Sequence, residues 1–135
     1  MPSFDGIIMI QEDFLVKPKE IFLKKVKELL KDRRYIFKGE RIKNRDTLAL
    51  LGWKPQHVID FIVNELTPSD VLRGPIEIGD SKLPPGSAYE FLKTLETEID
   101  GSMSKVELFI RIELTDVTDD DEQVVVIISF HVSEK

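Results

Sequence analysis

Two stretches of the chain repeat their apolar residues at helical spacing. In about residues 19–32, Phe22, Val26, Leu29 and Leu30 fall at i, i+4, i+7 and i+8, while Lys24, Lys25, Lys27 and Lys31 take the other side. That is one apolar stripe on a helix, and Pro18 near its start does no harm there. In about residues 55–66, Val58, Ile59, Ile62, Val63 and Leu66 repeat the pattern, with Pro55 in the first turn. Between them, residues 45–51 read as a short helical turn that Gly52 ends. Tyr35-Ile36-Phe37 reads as a short strand, and Thr67-Pro68-Ser69-Asp70 as the capped start of another turn.

The back half changes period. Tyr89, Phe91 and Leu95 indicate a strand. Over 106–114, Val106, Leu108, Ile110, Ile112 and Leu114 alternate with Glu107, Phe109, Arg111 and Glu113, a strand with one buried face. Over 124–132, Val124, Val126, Ile128, Phe130 and Val132 form the expected apolar face, against Val125, Ile127, Ser129 and His131. The acidic stretch 115–123 joins these two strands as an antiparallel hairpin. Residues 73–87 hold three of the seven prolines and three of the seven glycines, so they read as a long loop dividing the halves. The expected fold is α+β: N-terminal helices packed on a small C-terminal antiparallel sheet.

Length and composition narrow the class. With 135 residues, 41% of them apolar, the chain suits a single domain over 1–135. It has no cysteine, which excludes disulfides, thiolate metal sites and cysteine nucleophiles. The longest apolar run, Val124-Val125-Val126-Ile127-Ile128, is far short of the ~20 residues of a membrane helix. Asp5 and the lack of a basic n-region make residues 1–14 a poor signal peptide, so a cytoplasmic protein without a membrane partner is expected. The net charge of -6 is uneven: residues 17–45 carry 12 basic and 4 acidic side chains. Such a segment reads either as a phosphate-holding patch or as a solvated helix face.

The hairpin brings candidate chemistry together. A loop centre near Asp119 or Asp120 pairs odd residues with odd ones. Phe109, Arg111, Ser129 and His131 then share a face, with Arg111 near His131. An arginine and a histidine so placed can bind a phosphodiester and move a proton; an ordinary solvent-facing sheet surface has the same sequence. His57 reads as a partly exposed helix residue, and the two histidines have no metal-pair spacing. The run Asp119-Asp120-Asp121-Glu122 lacks the glycine and spaced ligands of a calcium loop. Trp53 beside Gly52 reads as a helix-junction anchor. Neither a Gly-rich phosphate loop nor a GxSxG motif occurs.

The order of segments resembles the motility quorum-sensing regulator (MqsR) family of toxins. Five segments carry the likeness. They are Val26-Lys27-Glu28-Leu29-Leu30; Leu50-Leu51-Gly52; residues 58–66 with Thr67-Pro68-Ser69-Asp70; residues 106–112; and Val126-Ile127-Ile128-Ser129-Phe130. The likeness covers about residues 20–133, with residues 1–18 as an N-terminal extension. It implies a RelE-like fold and a type II toxin–antitoxin function: an RNA endonuclease that needs no metal or other cofactor. The implied partners are an RNA substrate and a cognate antitoxin protein, with no DNA binding by the toxin itself. Attack is by the 2′-hydroxyl on the adjacent phosphate. Carried over by position, the family's basic residue after the Ser-Asp step falls on Arg73, and its amide near Glu90. Its aromatic hydroxyl falls on Phe109, which has none, and its lysine after the final Ser-Phe falls on His131. With Arg111 added from the hairpin register, the expected catalytic set is Arg73, Glu90, Arg111 and His131. Lys24, Lys27, Lys31, Arg33, Arg34 and Arg41 of the basic segment would hold the RNA backbone. The alternative is a catalytically degenerate, non-enzymatic RelE-like domain that binds RNA or a protein partner.

Overall fold

The computed structural model describes residues 18–76, 88–115 and 123–133. The expected N-terminal extension falls almost wholly outside them, as do the centre of the acidic loop and most of the 73–87 loop. Within the described residues the protein is α+β. The elements are α1 (Pro18–Lys31), β1 (Tyr35–Phe37), α2 (Ile42–Leu51), α3 (Pro55–Glu65), a 3-10 turn (Pro68–Asp70), β2 (Val71–Ile76), β3 (Ala88–Ile99), β4 (Ser102–Leu114) and β5 (Val125–Val132).

The helical stripes are where the spacing puts them. α1 buries Phe22, Leu23, Val26, Leu29 and Leu30, and α3 buries Val58, Ile59, Phe61 and Ile62. They share one core with Tyr89 and Phe91 of β3, Val106, Leu108, Ile110 and Ile112 of β4, and Val125, Ile127 and Phe130 of β5. Gly52 ends α2 in the left-handed region, at φ 69°. Asp70 accepts from the Thr67 N–H at 2.8 Å, which caps the 3-10 turn as expected.

The sheet departs from expectation in composition and sense. Five strands lie in the order β1-β5-β4-β3-β2, so both edge strands come from ahead of residue 77. The β1–β5 pair is parallel and the other three are antiparallel, which makes the sheet mixed rather than purely C-terminal and antiparallel. β4 begins earlier than its apolar alternation, because β3 and β4 are joined by Asp100 and Gly101 at φ 53° and 81°. Two central residues at positive φ make the two-residue hairpin turn whose twist matches the strands.

β5 carries the second departure. A register shift beside Ile112 inserts one extra residue, Ile128, between Ile127 and Ser129. Before this bulge Val125 and Ile127 point into the core; after it Phe130 does. Such a bulge switches which face each residue takes. The expected apolar face of Val124, Val126 and Ile128 is therefore overturned, while Phe130 is as expected.

Past the bulge, no strand among the described residues lies beyond β5, and α2 takes that place. Asn44 Nδ2 donates to Ile128 O at 2.9 Å, and the Phe130 N–H donates to Asn44 Oδ1 at 2.9 Å. One helical turn on, the Val132 N–H donates to Thr47 Oγ1 at 3.0 Å. Two polar side chains three residues apart thus satisfy a sheet edge that would otherwise be open. This explains why α2 starts earlier than its few apolar residues imply.

Candidate active site

The face of the sheet opposite the helices carries a line of charge. Arg73 on β2 pairs across to Glu90 on β3, Glu90 to Arg111 on β4, and Arg111 to Ser129 on β5. Direct cross-strand neighbours sit close enough to bond. Glu90 Oε1 accepts from Arg73 Nε at 3.0 Å and lies 2.8 Å from its Nη2. Glu90 Oε2 accepts from Arg111 Nη1 at 3.2 Å, and Arg111 Nε donates to Glu113 Oε2 at 3.1 Å. The Glu90 side chain is 7% exposed, so its charge is tolerated because both oxygens meet a guanidinium. A carboxylate engaged on both oxygens is a clamp for two arginines.

β2 brings Arg73 to this line through an unusual backbone. Gly74 has φ 149°, and a Cβ there would meet Tyr89 Cδ2 at 2.5 Å. Only glycine fits between the strand and the Tyr89 ring, which itself packs on Phe22 at 4.5 Å. Burial raises the Tyr89 pKa above its ordinary value.

The next line across the sheet pairs Phe109 with His131, so Arg111 and His131 share a face, as the odd-with-odd register requires. The Phe109 and His131 rings lie 5.4 Å apart, so the aromatic side chain that lacks a hydroxyl packs on the histidine. His131 Nδ1 is 3.0 Å from the Val132 carbonyl. A carbonyl oxygen only accepts, so this contact keeps the proton on Nδ1 and leaves the Nε2 lone pair for chemistry. Arg111 and Ser129 occupy the line beside it.

His131 also borders two clefts along the seam of α2 and β5. One, of about 320 Å³, is lined by Arg41, Ile42, Lys43, Asn44, Ser129 and His131. The other, of about 280 Å³, shares Lys43 and His131 and adds Asp46, Thr47, Leu50, Val132 and Ser133. Arg41 Nη1 donates to Ile128 O at 3.3 Å, which holds its guanidinium beside the strand.

The basic residues expected to hold RNA are divided by this arrangement. Arg41 lies beside His131, with Lys43, which sequence reasoning did not select. Lys24, Lys27 and Lys31 lie on α1, whose apolar side packs on the inner face of the sheet, and Arg33 and Arg34 follow directly. Lys27 Nζ donates to the Leu66 carbonyl, and burial, followed by the Lys31 charge, lowers its pKa. It is spent inside the fold. Arg34 Nη1 lies 3.9 Å from Asp32. His57 Nδ1 accepts from the Lys54 N–H at 2.8 Å, a helix-start role, and Trp53 packs on Phe61 and Phe130 at 5.7 and 6.0 Å.

Glu113, Lys43, Asn44 and Thr47 were missed. Glu113 carried a signal, being two residues from Arg111 on the same strand face. The α2 residues carried none, because their part depends on where β5 ends up. Among the described residues no group of three or more His, Asp or Glu is arranged to hold a metal ion, and no helix is long and apolar enough to cross a membrane. Comparison with protein-family models, with curated proteins and with solved structures finds no match to this chain.

Proposed function

We propose that this protein is a metal-independent RNA endonuclease of RelE-like fold, acting in the cytoplasm as the toxin of a toxin–antitoxin pair. The observation that carries the reading is the setting of His131. Its Nδ1 is tied to Val132 O, and the ring stands between the Arg73–Glu90–Arg111 line and the cleft of Arg41 and Lys43. In this reading Nε2 takes the proton of the ribose 2′-hydroxyl, whose oxygen attacks the adjacent phosphorus. The P–O5′ bond breaks, the proton passes to the leaving 5′-oxygen, and the products are a 2′,3′-cyclic phosphate and a 5′-hydroxyl. Arg111, held in plane by Glu90 and Glu113, faces the charge that develops on the phosphoryl oxygens. Arg73 supports the flanking backbone. Glu90 serves as a positioning residue, not as the base.

One observation favours a second reading, a non-enzymatic domain that binds RNA or a protein. Glu90 is locked by two arginines, and Phe109 offers no hydroxyl, so His131 is the one proton-transfer group left in the implied set. A short labelled RNA incubated with the full chain and a chelator separates the two. Cleavage to a cyclic phosphate is expected. His131→Gln should lower the rate about 10²–10⁴-fold, as loss of an acid–base group does. Lys105→Ala, at the far end of the β3–β4 hairpin, should leave it unchanged. Salt-sensitive binding with no product at any pH would replace the nuclease with an RNA-binding domain. No binding even at low salt would end both RNA readings.

A further inference from the structure

The geometry points to a nucleotide site on the seam of α2 and β5, with the phosphate held by Arg41, Lys43, Ser129 and His131. Among the described residues, the 320 Å³ cleft has no carboxylate in its wall. Two of its side chains carry fixed positive charge, and a third, His131, presents Nε2 as acceptor or, when protonated, donor. Ser129 adds a hydroxyl to the same wall. It is 8% exposed, lines the cleft, and its hydroxyl makes no hydrogen bond to any described residue. No buried side-chain nitrogen or oxygen among the described residues lacks a partner, so this hydroxyl is open to solvent at the cleft, where it can donate to an incoming phosphate oxygen. The bulge at Ile128 sets this up, since Ser129 and Phe130 are both buried although they are consecutive in the strand.

The walls are held in advance. Asn44 ties α2 to Ile128 O, Phe130 N and Lys38 O, each at 2.9 Å, and Arg41 rests on Ile128 O. A site already ordered loses little freedom when it binds. The adjoining 280 Å³ cleft sets the direction of the ligand. It shares Lys43 and His131 but adds the apolar Leu50 and Val132 and the Asp46 carboxylate. An anion is favoured in the first cleft, where Arg41 and Lys43 stand, whereas a sugar and base suit the second, where Leu50 is 48% exposed and Asp46 is already 3.7 Å from Arg45. The ligand class is therefore a nucleoside monophosphate unit, with its phosphate at Ser129 and its nucleoside over Leu50. The RNA origin of that unit rests on the function proposed above; phosphate binding does not.

The full chain is titrated with uridine 3′-monophosphate, inorganic phosphate and uridine in the absence of divalent cations, with amide and imidazole NMR shifts as the readout. Uridine 3′-monophosphate should move the Ser129, His131 and Arg41 signals saturably and weaken with salt. Inorganic phosphate should compete more weakly, and uridine alone should leave these signals in place. Lys43→Gln and Ser129→Ala, both mild to the fold, should each weaken the nucleotide by about tenfold, the usual effect of losing a charge-assisted hydrogen bond. Leu50→Ser should weaken the nucleotide but not inorganic phosphate. Absence of saturable shifts at Ser129 and His131, or unchanged affinity in both Lys43→Gln and Ser129→Ala, overturns the site. RNA cleavage with an unaltered KM in those two variants would also remove the site while leaving the nuclease. Nucleotide binding without RNA cleavage removes the nuclease and leaves the site.

Discussion

Asn44→Ala tests the joint on which the site is built. Asn44 is 1% exposed and makes three hydrogen bonds, to Lys38 O, Ile128 O and the Phe130 N–H. Their loss is not equal. Lys38 O keeps the Arg41 N–H at 3.2 Å, and Ile128 O keeps the Arg41 guanidinium. The Phe130 N–H has no other acceptor among the described residues and would be stranded inside the protein. An unsatisfied buried group costs about 1–3 kcal/mol, and each lost bond roughly another 0.5 to 1 where a second partner remains. The sum is about 3 kcal/mol, or on the order of 10 °C in Tm for a domain of this size. Urea unfolding measures the total, and amide hydrogen exchange locates it: Phe130 should lose protection well before Ile110 on β4. Asn44→Asp restores the acceptor for Phe130 but sets a carboxylate against two carbonyls, so it should be no better than alanine. A loss below about 1 kcal/mol with Phe130 protection unchanged would refute the edge-capping account.

Gly74→Ala should destabilise by about 1–3 kcal/mol in urea unfolding, because φ 149° and the Tyr89 ring both exclude a Cβ. Glu90→Gln should cost about 1–3 kcal/mol by leaving two guanidiniums without their shared carboxylate, and it should lower cleavage through KM and kcat together. Tyr89 has a raised pKa in the folded state, so the folded chain holds a proton that the unfolded chain sheds above about pH 10, and stability falls as pH rises past that point. Tyr89→Phe should flatten this alkaline limb; Lys27, with a lowered pKa, acts in the opposite sense in both proteins and cancels in the difference. Expression without an antitoxin should slow growth and deplete mRNA, with Arg73→Ala and His131→Gln each restoring growth; equal growth of wild type and both variants would remove the toxin reading.

The sequence was legible wherever one physical period acted alone. Phe22, Val26, Leu29 and Leu30 mark α1 because burying a helix on one side leaves no other solution. Val106 to Ile112 mark β4 for the same reason at period two. The odd-with-odd register that joins Arg111 to the His131 face was drawn from the loop centre, and it holds only beyond the bulge; beside the loop Glu113 meets Val126. β5 was misread because residues 124–128 are all apolar, so composition cannot say which ones turn inward, and the bulge then reverses the phase. α2 was shortened because its buried side depends on Asn44 and Thr47, which no apolar pattern reveals. Asp100-Gly101 was a readable hairpin signal, hidden among the polar residues that flank it on β3 and β4. The Arg73–Glu90–Arg111 line needed the registers of three strands at once, more than any single segment specifies.

The parallel pairing of β1 with β5 has a consequence for how the chain reaches this state. Tyr35 to Phe37 find their strand partners at Val125 to Ile127, and Asn44 and Thr47 find theirs at Ile128 to Val132, some 85 residues onward. During synthesis α1, β1 and α2 must wait for the last strand before their sheet edge and much of their core exist. Closing so long a loop comes before any of its contacts can help, and such topologies fold slowly for that reason. Until residues 125–132 arrive, the inner face of β4 lacks its β5 neighbour, and β1 and α2 lack the strand edge that they cover.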